Sequence, residues 1–179
     1  MSRSLRRSLA VVAVAGVLVS GCATGSPGTA ATVDGHAISQ EEVSTVLLEV
    51  GPFVQYLDPR ATSWDSTQAL VAMIVAPALN EAAADGGVGV SDEDAERVLA
   101  GLAEQLDVEA PELSESSTEV VRYHIAVATI ANAANSAEIV DDANARVEEL
   151  DVTLSPRYGT WADDATHYPN FPWIQRPQQ

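Results

Sequence analysis

The stretch from about Asp65 to Ala84 constrains the fold more than any other, because it combines helical length with apolar side chains on nearly every face. A helix that is apolar all round must be covered by other elements, so this one is predicted to be the central helix of the domain. Its large apolar residues are Leu70, Val71, Met73, Ile74, Val75 and Leu79. Pro77 lies within it and is expected to kink the helix or to end its regular part.

Amphipathic segments on both sides of this helix are expected to cover it. Before it, residues 39–42 form a capping box, and apolar residues then recur at helical spacing as far as Gly51-Pro52. After it, Ser91 caps a helix with acidic residues in its first turn. Two more helices are predicted over about Thr118–Asn135 and Ser136–Leu150, and the sequence leaves open whether they are continuous.

Short β-prone stretches at both ends of the helical region predict a small sheet. Residues 31–33 and 36–38 flank Asp34-Gly35, the strongest short-range signal of a hairpin. Residues 151–154 alternate in polarity, and Pro156 ends the run. The predicted fold is therefore mostly α, with four to five helices and a small β-sheet formed by an N-terminal hairpin and a C-terminal strand.

The start of the chain predicts export. Arginines at positions 3, 6 and 7 precede an apolar run, Leu9–Val19, that is shorter than the roughly 20 residues needed to span a bilayer. Val19-Ser20-Gly21-Cys22 follows, and this order resembles a bacterial lipoprotein signal. The resemblance implies cleavage before Cys22 and lipidation of its sulfur. The alternative is an ordinary secretory signal with a chance cysteine after it.

Four regions are expected along the chain. Residues 1–21 would be the lipoprotein signal peptide, and residues 22–31, rich in Gly, Ser, Thr, Pro and Ala, a flexible tether. Residues 32–161 would form the helical domain. Residues 162–179 place aromatic side chains among prolines, as a tail that either lies in a groove or is disordered. The protein is therefore expected at the cell membrane, lipid-anchored on the extracytoplasmic side.

The charge of the chain argues against two classes of partner. It has 26 acidic residues against 9 basic ones, all arginine, and a formal net charge of −17. Nucleic acids and anionic lipid surfaces are both bound through basic side chains. We therefore expect no nucleic-acid partner, and we expect membrane attachment through lipid rather than through charge.

No combination of residues predicts reactive chemistry. His36, His124 and His167 never pair at a helical spacing of three or four, so no metal site is expected, and His124 is interpreted as a partly buried ring with a hydrogen-bonded nitrogen. The chain also lacks a Gly-x-Ser-x-Gly elbow and a P-loop lysine. We expect no enzyme, no cofactor and no small-molecule substrate.

Three segments, in this order, resemble the N-terminal helical domain of the SurA, PrsA and parvulin-type foldase lipoproteins. Residues 31–43 are similar to that family's opening hairpin and capped helix, residues 85–94 to its loop-to-helix step, and residues 151–161 to its closing strand and Pro-Arg-aromatic-Gly turn. The resemblance implies a chaperone module outside the membrane. It does not extend to the peptidyl-prolyl isomerase domain that family members often carry, so we expect no isomerase activity.

The expected function is a non-catalytic, membrane-anchored module that binds unfolded or newly exported polypeptides. The alternative is a structural or adaptor lipoprotein that docks one specific folded partner. Aromatic side chains are either client contacts or core, and Arg157 either clamps a client or pairs with an acid of its own domain, with Gly159 at positive φ. The candidate peptide-binding residues are Phe53, Tyr56, Trp64, Arg157 and Tyr158.

Overall fold

The fold was analysed in a computed structural model that describes residues 28–59 and 64–161. This part of the chain is mostly helical and includes a small antiparallel sheet of three strands, which confirms the predicted fold class at that level. The signal peptide, Cys22 and residues 162–179 lie outside the described residues.

The elements follow one another in a simple order along the chain. They are β1 (Thr29–Val33), β2 (His36–Ser39), α1 (Gln40–Val50), α2 (Val54–Leu57), α3 (Ser66–Asp85), α4 (Asp92–Leu106), α5 (Glu115–Ile130), α6 (Ser136–Glu148) and β3 (Val152–Leu154), with a 3₁₀ turn at Pro156–Tyr158.

The sheet joins the two ends of the described chain. β1 is its middle strand, and Val33 lies opposite His36 in β2 and opposite Val152 in β3. The turn between β1 and β2 has positive φ at Asp34 (49°) and Gly35 (81°), as hairpin turns with Asp-Gly require. Asp34 also accepts a hydrogen bond at Oδ1 from the Asp151 backbone N–H (2.9 Å), so the same turn holds the start of β3.

The expected tether boundary at residue 31 is wrong, because β1 begins at Thr29. Ala30 and Ala31 are 0% and 1% exposed, and β1 packs against α1 and α3. Small side chains fit where a strand lies close to a helix. Composition alone cannot distinguish this use of alanine from its use in a linker.

α3 is the central helix, as its sequence predicts. It packs against α1, α5, α6 and β1, and thirteen of its residues are buried. Pro77 is exposed, and the helix runs through it to Asp85, so the proline does not end the helix. Among the described residues α3 alone is long and apolar enough to suit a membrane span (mean hydropathy 1.2), but 67% of that window is buried inside the protein, as in a core helix.

The described residues form six helices where four to five were expected, and the structure decides one boundary that the sequence left open. α5 begins at Glu115 instead of Thr118, because the Ser114 hydroxyl accepts from the Ser117 backbone N–H (3.3 Å) and caps it. α5 and α6 are separate helices, divided by turns at residues 131–135. α2 follows Gly51-Pro52, where the helical run was expected to stop, and burial of Phe53 and Val54 (2% exposed each) accompanies this additional helical turn.

Arginines and one amide connect the helices across the surface of the core. Arg146 on α6 binds Glu81 (3.0 Å) and Asp85 (2.6 Å) on α3. Arg122 on α5 donates to the Val90 carbonyl (2.8 Å), just before α4. Within the core, Asn80 is 4% exposed and its Nδ2 donates to the Glu119 backbone carbonyl (3.1 Å), which connects α3 with α5.

An alanine substitution at Gly86 tests the packing of α6 on the end of α3, and one at Gly101 is its control in open space. A Cβ at Gly86 would lie 2.5 Å from Ile139 Cγ1, a side chain only 2% exposed, so Gly86→Ala should overpack this contact. We expect it to lower the free energy of unfolding by about 1–3 kcal/mol. Gly101, inside α4, has no atom within 4 Å of such a Cβ. Gly101→Ala should raise the free energy of unfolding by about 0.5–1 kcal/mol. Urea denaturation followed by far-UV circular dichroism measures both, and a stabilising Gly86→Ala would contradict the described contact.

Candidate functional site

The five candidate binding residues lie in two groups at opposite ends of α1. Phe53, Tyr56 and Trp64 follow its C-terminal end, whereas Arg157 Nη1 donates to Gln40 Oε1 (3.2 Å) at its N-terminal end. Eleven helical residues separate the two groups by about 16 Å. The candidates therefore do not form a single site.

The aromatic candidates after α1 have different environments. Phe53 is 2% exposed and belongs to the core, so its assignment as a surface contact for peptides is wrong. Trp64 is partly buried, and its ring lies 5.4 Å from the ring of His124. Tyr56 is 47% exposed and is the one of the three that presents a largely open side chain. Phe53 lies between α1 and α2, and its side chain packs into the core.

The Arg157 turn connects the closing strand with the start of α1. The Arg157 guanidinium lies 5.9 Å from the centroid of the Tyr158 ring, within cation–π range. Its hydrogen-bond partner is the neutral amide of Gln40, and the salt bridges among residues 28–59 and 64–161 involve other arginines. Among the described residues no salt bridge to Arg157 is present, so its pairing with an acid of the domain stays a prediction. Gly159 has the expected positive φ, 91°.

A row of exposed apolar side chains runs from α1 to α2. Leu48 is 79% exposed, Pro52 is exposed, and Tyr56 is 47% exposed. α1 ends at Val50 and α2 begins at Val54, and between them the Phe53 N–H donates to the Val50 carbonyl (2.9 Å). We call Leu48, Pro52 and Tyr56 the outer face.

Sequence reasoning missed Leu48 because it concentrated on the buried stripe of α1. That stripe is Val43, Val46 and Val50. A large aliphatic residue off the stripe of an amphipathic helix is the signal that identifies such a position. Leu48 is the most exposed large apolar side chain among the described residues.

Hydrogen bonds to Glu49 fix the outer face against α5. Glu49 Oε2 accepts from the Ser114 backbone N–H (2.8 Å) and from the Ser114 hydroxyl (2.9 Å). Partial burial opposes ionisation, but hydrogen bonds from Ser117 and Ser114 hold the pKa of Glu49 below its ordinary value. Leu48 is therefore followed by a carboxylate that is ionised at neutral pH and held in place.

A buried polar cluster lies behind the segment that carries the outer face. His124 on α5 is 5% exposed, and its ring contacts Trp64 (5.4 Å between centroids) and Tyr123 (5.0 Å). Burial lowers the pKa of His124 to about 4, although the negative charge of Asp58 opposes this shift. The expected hydrogen-bonded nitrogen is wrong for Nε2, which has no partner among the described residues. The neutral ring acts as packing between α5 and the chain that follows α2.

The described residues contain no group of three or more His, Cys, Asp or Glu side chains arranged to hold a metal ion.

Acidic residues are frequent in the segment that carries the outer face. Residues 40–59 contain four carboxylates, Glu41, Glu42, Glu49 and Asp58, and no lysine or arginine. The segment that carries the outer face is thus acidic in sequence.

Burial of His124 predicts a specific pH dependence of stability. The folded protein keeps the ring neutral to about pH 4, whereas the unfolded chain takes up a proton near pH 6.5, so protonation favours unfolding between these values. Stability should fall as the pH drops from 6.5 towards 4, by up to about 1.4 kcal/mol per pH unit. His124→Phe, which keeps a flat ring, should remove this slope.

Urea unfolding of the wild type and of His124→Phe between pH 6.5 and about 5 isolates the effect of His124, because the two proteins differ only at this side chain. Glu49 titrates below this range, because its pKa is shifted below its ordinary value of 4.5. An equal slope in the wild type and in His124→Phe would show that the ring does not titrate as its burial requires.

Comparison with known protein families, curated proteins and solved structures finds no match to this chain. Its function must therefore be argued from its own residues.

Proposed function

We propose that the protein is a membrane-anchored, extracytoplasmic chaperone-like module that binds unfolded or newly exported polypeptides without catalysing a reaction on them. The observation that carries the proposal is Leu48, which is 79% exposed on a helix whose other large apolar residues are buried or partly buried. Large exposed apolar patches mark interaction sites, and Leu48 is the most exposed large apolar side chain among the described residues. A binding module of this kind needs an accessible apolar surface and no reaction centre.

The fold is proposed to be that of the N-terminal domain of the SurA and PrsA type. Two of the three segments that carry the resemblance, residues 31–43 and 151–161, meet in the sheet, where Ala31 pairs with Leu154 and Val33 with Val152. The first of them continues into α1 through a complete capping box, Ser39 with Glu42. The third segment, residues 85–94, leads into α4 through a second capping box, Ser91 with Asp94. These features support the proposal because they occur in the order that the resemblance implies.

Attachment through Cys22 is part of the same proposal, and it rests on the order of the arginines, the apolar run and Val19-Ser20-Gly21-Cys22. A second fatty chain makes attachment persistent, because each buried methylene contributes about 0.8 kcal/mol. An anchored module of net negative charge would meet exported chains as they leave the membrane.

The chaperone proposal predicts an effect on aggregation. The purified protein without residues 1–21 should slow the aggregation of a thermally unfolding client, measured by light scattering, in proportion to its concentration. In cells, a photocrosslinker at Tyr56 should give many bands, and one at the exposed Glu96 on α4 should give few. A single strong band without any effect on aggregation would favour the adaptor function. If the protein neither slows aggregation nor crosslinks to many chains, the chaperone proposal is overturned.

The localisation proposal predicts the behaviour of a Cys22 variant. Cys22→Ser should not incorporate radiolabelled palmitate and should move from the membrane fraction to the soluble fraction. Ser26→Ala, four residues further on, is the control and should keep both properties. Membrane retention of Cys22→Ser equal to that of the wild type would contradict lipid anchoring at this residue.

A further inference from the structure

We propose that the Arg157 turn, residues 156–161, faces the membrane, where the Arg157 guanidinium binds the phosphate of a lipid headgroup and orients the anchored domain. This inference rests on the proposed lipid anchor at Cys22. It goes beyond the anchor by assigning the side of the domain that contacts the bilayer, and it gives Arg157 and Tyr158 a lipid partner in place of a client.

The anchor and the first strand are close together along the chain. Gly28 is six residues after Cys22, and β1 begins at Thr29. Six residues reach at most about 20 Å even when they are fully extended. A domain of this size has a diameter of about 35 Å. The half of its surface that is farthest from Gly28 is therefore out of reach of a bilayer to which Cys22 is anchored.

Hydrogen bonds place the Arg157 turn beside Gly28. The Gln40 backbone N–H donates to the Gly28 carbonyl (2.7 Å), and Gln40 Oε1 accepts from Arg157 Nη1 (3.2 Å). Because one residue makes both bonds, the guanidinium lies within about 12 Å of the Gly28 carbonyl. The Ser155 N–H also donates to the Ala30 carbonyl (2.8 Å), which holds the start of the turn against β1. The Arg157 turn therefore lies in the half of the surface that the anchor keeps near the bilayer.

Arg157 differs from the other described arginines in its ion pairs. Arg97, Arg122 and Arg146 each bind at least two carboxylates. Arg157 is exposed, and it forms no salt bridge within residues 28–59 and 64–161. Its hydrogen bond to the neutral amide of Gln40 uses one of the five N–H groups of the guanidinium. The planar fork of a guanidinium matches the oxygens of a phosphate, so Arg157 is suited to bind one.

Two aromatic side chains of the same turn suit the depth of lipid headgroups. Tyr158 and Trp161 are partly buried and pack against the core, and the Arg157 guanidinium lies 5.9 Å from the centroid of the Tyr158 ring. Tyrosine and tryptophan are enriched at membrane–water interfaces, because each ring combines an apolar body with a polar group. An arginine between such rings can bind phosphate while the rings lie at the same level.

The acidic surface of the protein limits what this contact does. Glu41 and Glu42 begin α1 at the same end of the domain, and the chain has a net charge of −17. One arginine is too weak to hold such a chain at a bilayer by charge. The lipid at Cys22 supplies the attachment, and Arg157 decides which side faces the headgroups. A client carboxylate would offer Arg157 similar chemistry, but the anchor keeps lipid phosphates at high local concentration.

Fluorescence quenching in the anchored protein tests the orientation. Once Cys22 is lipidated, a cysteine introduced elsewhere is the free thiol that takes a dye. Thr160→Cys places the dye in the Arg157 turn, and His36→Cys places it opposite Val33 at the far end of β1; both positions are exposed. In phosphatidylcholine vesicles that contain a lipid with a nitroxide on its headgroup, quenching at position 160 should exceed quenching at position 36 at least about twofold.

Substitutions at Arg157 identify the contact in the Thr160→Cys protein. Arg157→Gln should lower the excess quenching at position 160 to less than about half, because the attraction to phosphate is lost. Arg157→Lys keeps the charge and should retain most of the excess. Arg97→Gln is the matched control, since it removes the same charge from another exposed arginine, on α4, and it should leave quenching unchanged. Circular dichroism checks that all variants are folded.

Three results would overturn this inference even if the protein is anchored and slows client aggregation. The first is equal quenching at positions 160 and 36. The second is an Arg157→Gln variant that keeps the full excess, or one that loses no more than Arg97→Gln. The third is a photocrosslinker at Thr160 that captures polypeptides and no lipid, which would identify the turn as a client site.

The remaining outcomes separate this inference from the proposed function. Stronger, Arg157-dependent quenching at position 160 without any effect on aggregation would keep the orientation and remove the chaperone function. Membrane retention of Cys22→Ser equal to that of the wild type would remove the lipid anchor, and this inference with it.

Discussion

Helix α3 carries apolar side chains around its whole circumference, and the rest of the domain is arranged to keep water away from them. Packing α1, α5, α6 and β1 against one helix buries thirteen of its residues. Because the hydrophobic effect is roughly proportional to the apolar area removed from water, this arrangement supplies much of the stability of the fold. Each covering helix then presents its polar face to solvent, and here those faces are strongly acidic.

Covering α3 also decides where the ends of the described chain meet. β1 lies close to α3 and needs strand partners on both of its edges, which β2 and β3 provide. Alanine at positions 30 and 31 permits this close approach. The sheet is small, but it closes the domain and holds the Arg157 turn against the start of α1.

Packing α1 on the core also leaves part of that helix exposed to solvent. α1 uses one stripe of valines to cover the core, and Leu48 points away from that stripe towards solvent. The Glu49–Ser114 hydrogen bonds fix this part of α1 to α5, and the ring of His124 packs behind the chain that follows α2. These contacts hold the segment around the outer face against α5.

Periodicity, caps and turn residues were sufficient to predict the central helix, the capped starts of α1 and α4, and the Asp34-Gly35 hairpin. These features depend on neighbours in sequence, which the chain itself supplies. A sheet of the N-terminal hairpin with the C-terminal strand was also expected, because β-prone stretches at the ends of one domain need strand partners, and the structure pairs Val33 with Val152.

Only the tertiary structure decided the features that depend on distant contacts. It placed Phe53 in the core, began β1 at Thr29 and left the His124 Nε2 without a hydrogen-bond partner among the described residues. It also divided the candidate binding residues between the two ends of α1. The sequence by itself determined most of the helices and the strand positions around Asp34-Gly35, since backbone preferences and apolar periodicity are local. Whether a given apolar side chain is buried or exposed depends on what packs against it, and that was fixed only when α3 was covered.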